Sequence, residues 1–522
     1  MEAYIMKYFN TVGPIDPKKH YFLPHRLDWA ELADFIEKQF YFILHAPRQS
    51  GKTTAIKEFV RHLNKEKKYT ALYVSTERAK VAVNDVDRAV GILLDELKDR
   101  IMDTFDDKIE WLERATILQS YQNKESAVYE MLRFMAKTSS RPVIIFFDEF
   151  DVLMGDSLIA LLSQFRSGYS NRPEHFPQTI CLIGVRDLRD YKIKTKIQEE
   201  LGVLYSPFNV KAESLVLPDF SLEDVRNLYE QHTTETGQKF TDEAIEHAYY
   251  LTQGQPWLVN ALAYQACFRN VKDRSIDITK ETIDHAKDEL ILRRDTHIDA
   301  LADRLDEPRV RKIIDMILEG TDSPHAFPID DIMYLRDLGL LKRNSKKLEI
   351  ANPIYQEIIP RELTHSTQFM LHQENVWYQR ADKSFDTKKM LEAFQQFYRE
   401  HSAKWLEDCA YKESGPHLLM MAFLQRVING GGRIYREYAL GMKRIDIYIC
   451  WREQRIVIEL KMLHNNNAVT KGLEQTAQYM DIVDGTEGHL VVFDKDSRKS
   501  WDEKIYHAPE TVNGKVIDVW GC

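Results

Sequence analysis

Nine residues, Ala46-Pro-Arg-Gln-Ser-Gly-Lys-Thr-Thr54, lie between an apolar aromatic run, Phe40 to His45, and a helical stretch, Ala55 to Leu63. That order demands a buried parallel strand, a tight loop, and a helix whose N-terminus faces the loop. Gly51 lets the backbone approach an anion, and successive amides plus the helix N-terminus point at it. Lys52 is placed to reach the β- and γ-phosphates of ATP, and the Thr53 hydroxyl to ligate Mg²⁺, with Ser50 and Thr54 completing the loop. This is a Walker A loop in its required context. Ala46 stands where a glycine is usual, which leaves the phosphate-binding end intact.

A second element supports the first. Val143 to Phe147 is a wholly apolar strand that ends in Asp148-Glu149, a Walker B pair. Asp148 is expected to hold Mg²⁺ through water, and Glu149 to polarise the attacking water. Thr70 to Val74 falls between the two elements, as it should in an inserted-strand P-loop core. Thr179 to Val185 is the next strand and ends at Arg186, where a γ-phosphate sensor belongs. Leu215 to Leu217 offers a last short strand. Arg166 and Arg172, between the Walker B and sensor strands, are candidates for an arginine finger acting on a neighbour, although an exposed helical arginine is more often simply solvated.

Composition narrows the setting. With 522 residues the chain should form three or four domains. Its 71 basic and 81 acidic residues give a net charge of −10, which argues against coating nucleic acid through bulk charge. Any such contact must be a local patch. The five cysteines are too scattered for a zinc site or a disulfide framework. No apolar run approaches the roughly 20 residues needed to cross a bilayer, and MEAYIMKYFN lacks a signal-peptide layout. A cytoplasmic protein without membrane contact is expected.

FNTVGPIDPKKHYFLP, HAPRQSGKTT, FRSGYSNRPEHFP before GVRDLRDYK, TQGQPWLVN and ANPIYQEIIP together resemble bacterial AAA-like ATPases related to the STAND class, over roughly residues 8 to 365. The resemblance implies that Tyr21 and its neighbours cover the nucleotide base, and that Gly254-Gln255-Pro256 is a lid motif sensing nucleotide state. It also implies regulated, often oligomeric behaviour. The expected order is an ATPase core (1–220), a helical lid (221–303) opened by an N-cap at Ser221, and a winged-helix arm (304–365). In the arm, helices Arg309 to Ile317 and Ile329 to Leu338 should precede a short strand, Lys347 to Ile350. Lys342, Arg343, Lys346 and Lys347 cluster at the wing, where a packing role is favoured over DNA binding. Trp257 is expected to be core.

Beyond a polar link (366–385), residues 386–522 should form a further α/β domain. Helices Lys388 to Trp405 and His417 to Val427 precede Gly430-Gly431-Gly432 and a meander, Arg433 to Leu440, Ile445 to Cys450 and Ile456 to Met462. Gly488 to Phe493 and Lys515 to Trp520 would finish the sheet. Asp446, Glu459 and Lys461 interrupt these apolar strands, and buried polar groups without partners cost several kcal/mol. A divalent metal supplies the partner. Asp446 and Glu459, on adjacent strands, can converge on one Mg²⁺ or Mn²⁺, helped by the carbonyl of Leu460. Lys461 shares the Glu459 face and can orient water. A second Glu-Leu-Lys, at Glu96, lies in a helical run and is expected to be a solvated face.

The downstream pattern resembles the PD-(D/E)XK nuclease superfamily over roughly residues 386 to 522. Asp446, Glu459 and Lys461 match its metal and lysine positions, and Gln475 and Tyr479 match its helical Gln-x-x-x-Tyr element. Glu392, Glu400, Glu407 and Glu437 compete for its helical glutamate. The fold class expected is therefore α/β: a P-loop NTPase core with helical lid and winged-helix arm, followed by a nuclease-like domain. The expected function is ATP-regulated, metal-dependent cleavage of nucleic acid, DNA before RNA, by a homo-oligomer. The alternative is a signalling ATPase whose last domain binds nucleic acid without cutting it.

Overall fold

The computed structural model describes the chain except residues 1–5, 106, 186–210, 294–303, 306, 319–323, 325–326, 344, 364–377, 409–419, 421–422, 425–432, 441–442, 464–466, 495 and 497. It divides into two compact units, residues 1–293 with 329–343, and residues 294–328 with 344–522. That division falls inside the segment expected to form the winged helix.

The first unit is built on β1 (Tyr41–His45), β2 (Thr70–Ser75), β3 (Val143–Asp148), β4 (Thr179–Gly184) and β5 (Lys211–Val216). They form one sheet in the order β2-β3-β4-β1-β5, parallel throughout. β1, β3 and β4 are buried along their whole length, which is why they read as unbroken apolar runs. Alternate side chains enter opposite layers. Phe42, Leu44, Ile144 and Phe146 pack on α1 (Trp29–Glu37) and α2 (Lys52–Glu66). Tyr41, Ile43, Ile145 and Phe147 pack on α3 (Val86–Thr104), α4 (Ile109–Gln119), α5 (Ala127–Thr138) and α6 (Gly155–Gly168). β4 separates the Walker A strand from the Walker B strand, as the inserted-strand reading requires.

The helical segment expected as a lid follows as α7 (Leu222–Thr236), α8 (Asp242–Thr252), α9 (Pro256–Tyr264) and α10 (Lys280–Arg293). Ser221 opens it with a reciprocal capping box to Asp224. The N-terminal segment docks on these helices. Phe9 and Tyr21 are sealed against Tyr229, His232 and Phe240. Beyond it, Pro308–Leu318 and Ile329–Asp337 are the helices expected of the arm. The strand expected at Lys347 to Ile350 is not formed; Ile350 alone makes a bridge. A helix, Pro353–Leu363, follows because Asn352 caps it by accepting from the Tyr355 amide.

In the second unit, β6 (Arg433–Leu440), β7 (Lys443–Trp451), β8 (Gln454–Met462), β9 (Glu487–Phe493), β10 (Tyr506–Val512) and β11 (Lys515–Gly521) form a mixed sheet ordered β10-β11-β9-β8-β7-β6. The first three make the expected antiparallel meander. A crossover through α12 (Asn467–Val483) makes β9 parallel to β8. α11 (Thr387–Asp408) covers the face of Ile447, Ile456 and Ile458. α12 covers that of Val457, Leu490 and Val492. The helix expected over His417 to Val427 and the glycine triplet after it fall largely outside the described residues.

Among the described residues no helix is long and apolar enough to cross a membrane. Cys181, Cys267, Cys450 and Cys522 are free thiols.

Candidate functional site

The Walker A loop leaves β1 at its C-terminal end and turns into α2 at Gly51, whose φ of 86° no β-carbon tolerates well. A side chain there would also meet the Arg26 guanidinium at 2.7 Å. Arg26 donates to the Ser50 carbonyl inside the loop and to the Pro218 carbonyl at the entrance of the lid. Its burial pushes the guanidinium down to about 10, opposed by Asp219 and Asp224. Lys52 is buried and donates to the carbonyls of Ala46 at 2.8 Å and Pro47 at 2.9 Å. Burial lowers its pKa, and Glu149 and Asp148 oppose that shift. Ser50 is buried with no partner for its hydroxyl, and Thr54 is half-buried in the first turn of α2.

Thr53 Oγ1 donates to Asp148 Oδ2 at 2.6 Å, so the two expected Mg²⁺-holding groups are already in contact. Tyr73 donates to the same oxygen at 2.9 Å, and the Glu149 amide donates to Oδ1 at 2.8 Å. Glu149 adopts a left-handed backbone, φ 55°, an uncommon state for a residue with a β-carbon. Its burial and the adjacent Asp148 raise its pKa. This donor set fits Mg²⁺, which Thr53 and Asp148 would hold.

Other expectations fare differently. Arg186 lies outside the described residues. Arg172 is engaged within its own chain. It sits at the N-terminal end of β1, away from the loop, stacked on Tyr169 and donating to the carbonyls of Tyr169, Gln39 and Gln178. Arg166 is half-buried on α6. Tyr21 has a buried ring and donates its hydroxyl to Glu235 at 2.5 Å, while Trp257 is core as expected and donates to the Thr11 carbonyl at 2.8 Å. Glu96 is a correction: it is buried, not solvated, and pairs with Arg100 at 3.1 Å and Arg78 at 3.5 Å.

Sequence reasoning also missed contacts behind the loop, because they join distant segments. His45 faces Asp337 at 3.4 Å, Arg343 reaches the same carboxylate at 3.4 Å, and Pro47 packs on Gly339. In Gly254-Gln255-Pro256, Gly254 has φ 78° and accepts from the Phe220 amide at 2.8 Å. A β-carbon there would lie 1.9 Å from the Phe220 carbonyl oxygen. Gly254→Ala should therefore cost about 1–3 kcal/mol. A melting temperature equal to wild type would refute that contact.

In the second unit Ile447 pairs with Ile458, so Asp446 and Glu459 occupy the next opposed positions and share a face. Asp446 Oδ2 accepts from the Leu460 amide at 2.9 Å, and Lys461 Nζ donates to Glu459 Oε1 at 2.6 Å. Glu459 is 2% exposed, and its Oε2 is buried without a partner. Burial and the facing Asp446 push its carboxyl up to about 8, against the pull of Lys461. A buried oxygen lacking a donor is what a divalent ion would satisfy, so Asp446 and Glu459 fit one. Among the described residues, however, no group of three or more His, Cys, Asp or Glu side chains is placed to hold a metal.

α12 closes this face. Gly472 lies against the Lys461 stem and Leu490, where a β-carbon would be 3.1 Å and 2.7 Å away. One turn further, Gln475 is half-buried, whereas Tyr479 is part of the core. Glu392 is exposed on α11, the helix that covers the opposite face. The side chains of residues 400, 407 and 437 lie outside the described residues. A buried carboxylate facing the like charge of Asp446 destabilises, so Glu459→Gln, which removes the charge, should raise stability by about 1–3 kcal/mol. A lower melting temperature would mean that the pair with Lys461 outweighs the desolvation.

Among solved structures, the Walker-type ATPase of Pyrococcus abyssi is similar at 14% identity and TM-score 0.47, over 67% of this chain and 99% of its own. A RuvB variant of Thermotoga maritima is similar at 14% identity and TM-score 0.33, over 63% and 93%. Cdc6p of Pyrobaculum aerophilum is similar at 10% identity and TM-score 0.35, over 66% and 95%. No curated protein matches the chain. The AAA-like domain family matches residues 13–360, the span that holds both Walker elements. The chain belongs to this AAA-like family of P-loop ATPases.

Proposed function

We propose that the chain is an ATP-regulated, metal-dependent nuclease of the PD-(D/E)XK type acting on DNA in the cytoplasm. One observation carries the reading. Glu459 keeps a carboxylate oxygen buried and unpartnered, across from Asp446 and beside Lys461, at the centre of a mixed sheet. Lys461 serves only Oε1, so the arrangement costs stability unless a further cation joins Oε2. Bound there, Mg²⁺ or Mn²⁺ would acidify water and offset charge on a scissile phosphate. Asp446 and Glu459 would hold the ion, Lys461 would orient the reacting water, and Gln475 lies on the helix that closes the face. The AAA-like unit, acting as a homo-oligomer related to the STAND class, would license cleavage according to nucleotide state. Defence against foreign DNA suits such a switch.

The lack of a third side-chain ligand among the described residues favours a second reading, a signalling ATPase whose last domain binds nucleic acid without cutting it. Incubating the full chain with linear and circular DNA, with Mg²⁺, Mn²⁺ or EDTA and with or without ATP, separates the two. Metal-dependent cutting that responds to ATP supports the nuclease. Retained DNA without cutting under every metal condition supports the binder.

A further inference from the structure

We infer that Tyr73 is a positioning residue for the nucleotide-bound Mg²⁺, holding the Asp148 carboxylate in place from the neighbouring strand. The inference rests on reading Asp148 as the Walker B carboxylate and is independent of the nuclease proposal. β2 pairs with β3 in a register that sets Tyr73 beside Phe146 and Ser75 beside Asp148. The tyrosine therefore starts two residues short of the carboxylate, and its ring supplies the missing reach along the strand. Its hydroxyl arrives at Oδ2 at 2.9 Å. The ring itself is fixed by Lys57, whose ammonium lies 4.7 Å from its centroid. Lys57 and Thr53 are four residues apart on α2 and share a face, so one helical turn presents a hydroxyl to Asp148 and a cation to Tyr73.

Asp148 is fully buried. A buried carboxylate needs donors, and this one has three: Thr53 and Tyr73 on Oδ2, and the Glu149 amide on Oδ1. The Thr53 hydroxyl has two tasks, because a lone pair of its oxygen is the direct metal ligand expected of this loop while its proton stays on Asp148. Tyr73 is the donor on Oδ2 that would not itself ligate the ion. Outer-sphere donors of this kind fix the direction of a ligand, and their loss typically weakens metal affinity about 10- to 100-fold. Asp148 is expected to act through water, which places Tyr73→Phe toward the low end, about tenfold.

The test uses a fluorescent ATP analogue and the full chain. In EDTA, Tyr73→Phe should bind it within twofold of wild type, since the ring under Lys57 is kept. In a Mg²⁺ titration at fixed analogue, the midpoint should rise about tenfold. Asp148→Asn should raise the midpoint too, and adding Tyr73→Phe to it should change nothing further, because the hydroxyl acts through that carboxylate. A wild-type midpoint in Tyr73→Phe, while Asp148→Asn shifts it, overturns the inference. So does an equal Tyr73→Phe effect in both backgrounds, which would mark a general packing role. Should Asp148→Asn leave the midpoint unmoved, the Walker B reading fails and the inference fails with it.

Discussion

Replacing Asp446 or Lys461 by alanine should reduce metal-dependent DNA cleavage by at least about a hundredfold. For Asp446 the reason is valence. Glu459 already shares one oxygen with Lys461 and has the other buried alone, so without the facing carboxylate a divalent ion meets one anion and one cation. That pair cannot compete with water for Mg²⁺. The Leu460 amide would also lose its acceptor. For Lys461 the reason is position. Its stem lies against Gly472 of α12, and its ammonium donates to Glu459 Oε1. Both variants should bind ATP as wild type does, because the nucleotide loop belongs to the other unit. Variants that cut as fast as wild type would remove these residues from the mechanism.

Lys52→Ala should weaken ATP binding by about 1.5–3 kcal/mol, the worth of a charged contact, or roughly ten- to a hundredfold in affinity. Its ammonium is held by two carbonyls of the loop in a buried setting where Glu149 and Asp148 favour the charged form. Phosphate oxygens can replace those carbonyls at little reorganisation, since the lysine is already in the loop. Calorimetric titration with ATP measures the loss. Unchanged affinity would rule out the Walker A assignment. If nucleotide licenses cleavage, the same variant should lose the ATP response while keeping its metal requirement.

Both sheets were largely legible because burial leaves a direct trace in composition. β1, β3 and β4 are covered on two faces and read as apolar runs, and the polar breaks at Asp446 and Glu459 stood out against such runs. β10 escaped notice for the opposite reason: it is an exposed edge with Pro509 inside it and no apolar alternation. The Asn513-Gly514 turn that pairs it to β11, with both residues at positive φ, was the available signal. α10 has few apolar positions, and its start is marked mainly by Thr279, which accepts from the Thr282 amide. Residues that act across long separations left no trace. Tyr73 meets a carboxylate 75 positions away, Arg26 a carbonyl 192 positions away, and Glu96 recruits Arg78 from another element. Such roles depend on strand register and helix docking, which periodicity does not encode.

The strand order β2-β3-β4-β1-β5 has a consequence for how this site can change. Two interstrand spacings, about 10 Å, separate the strand that feeds the anion loop from the one that carries the acidic pair. Interval and orientation are thus fixed by main-chain pairing, and surface connections can lengthen or shrink without disturbing them. Substitutions in the loop can retune affinity for the phosphates, whereas the gap in which water and the terminal phosphate must meet is inherited from the scaffold.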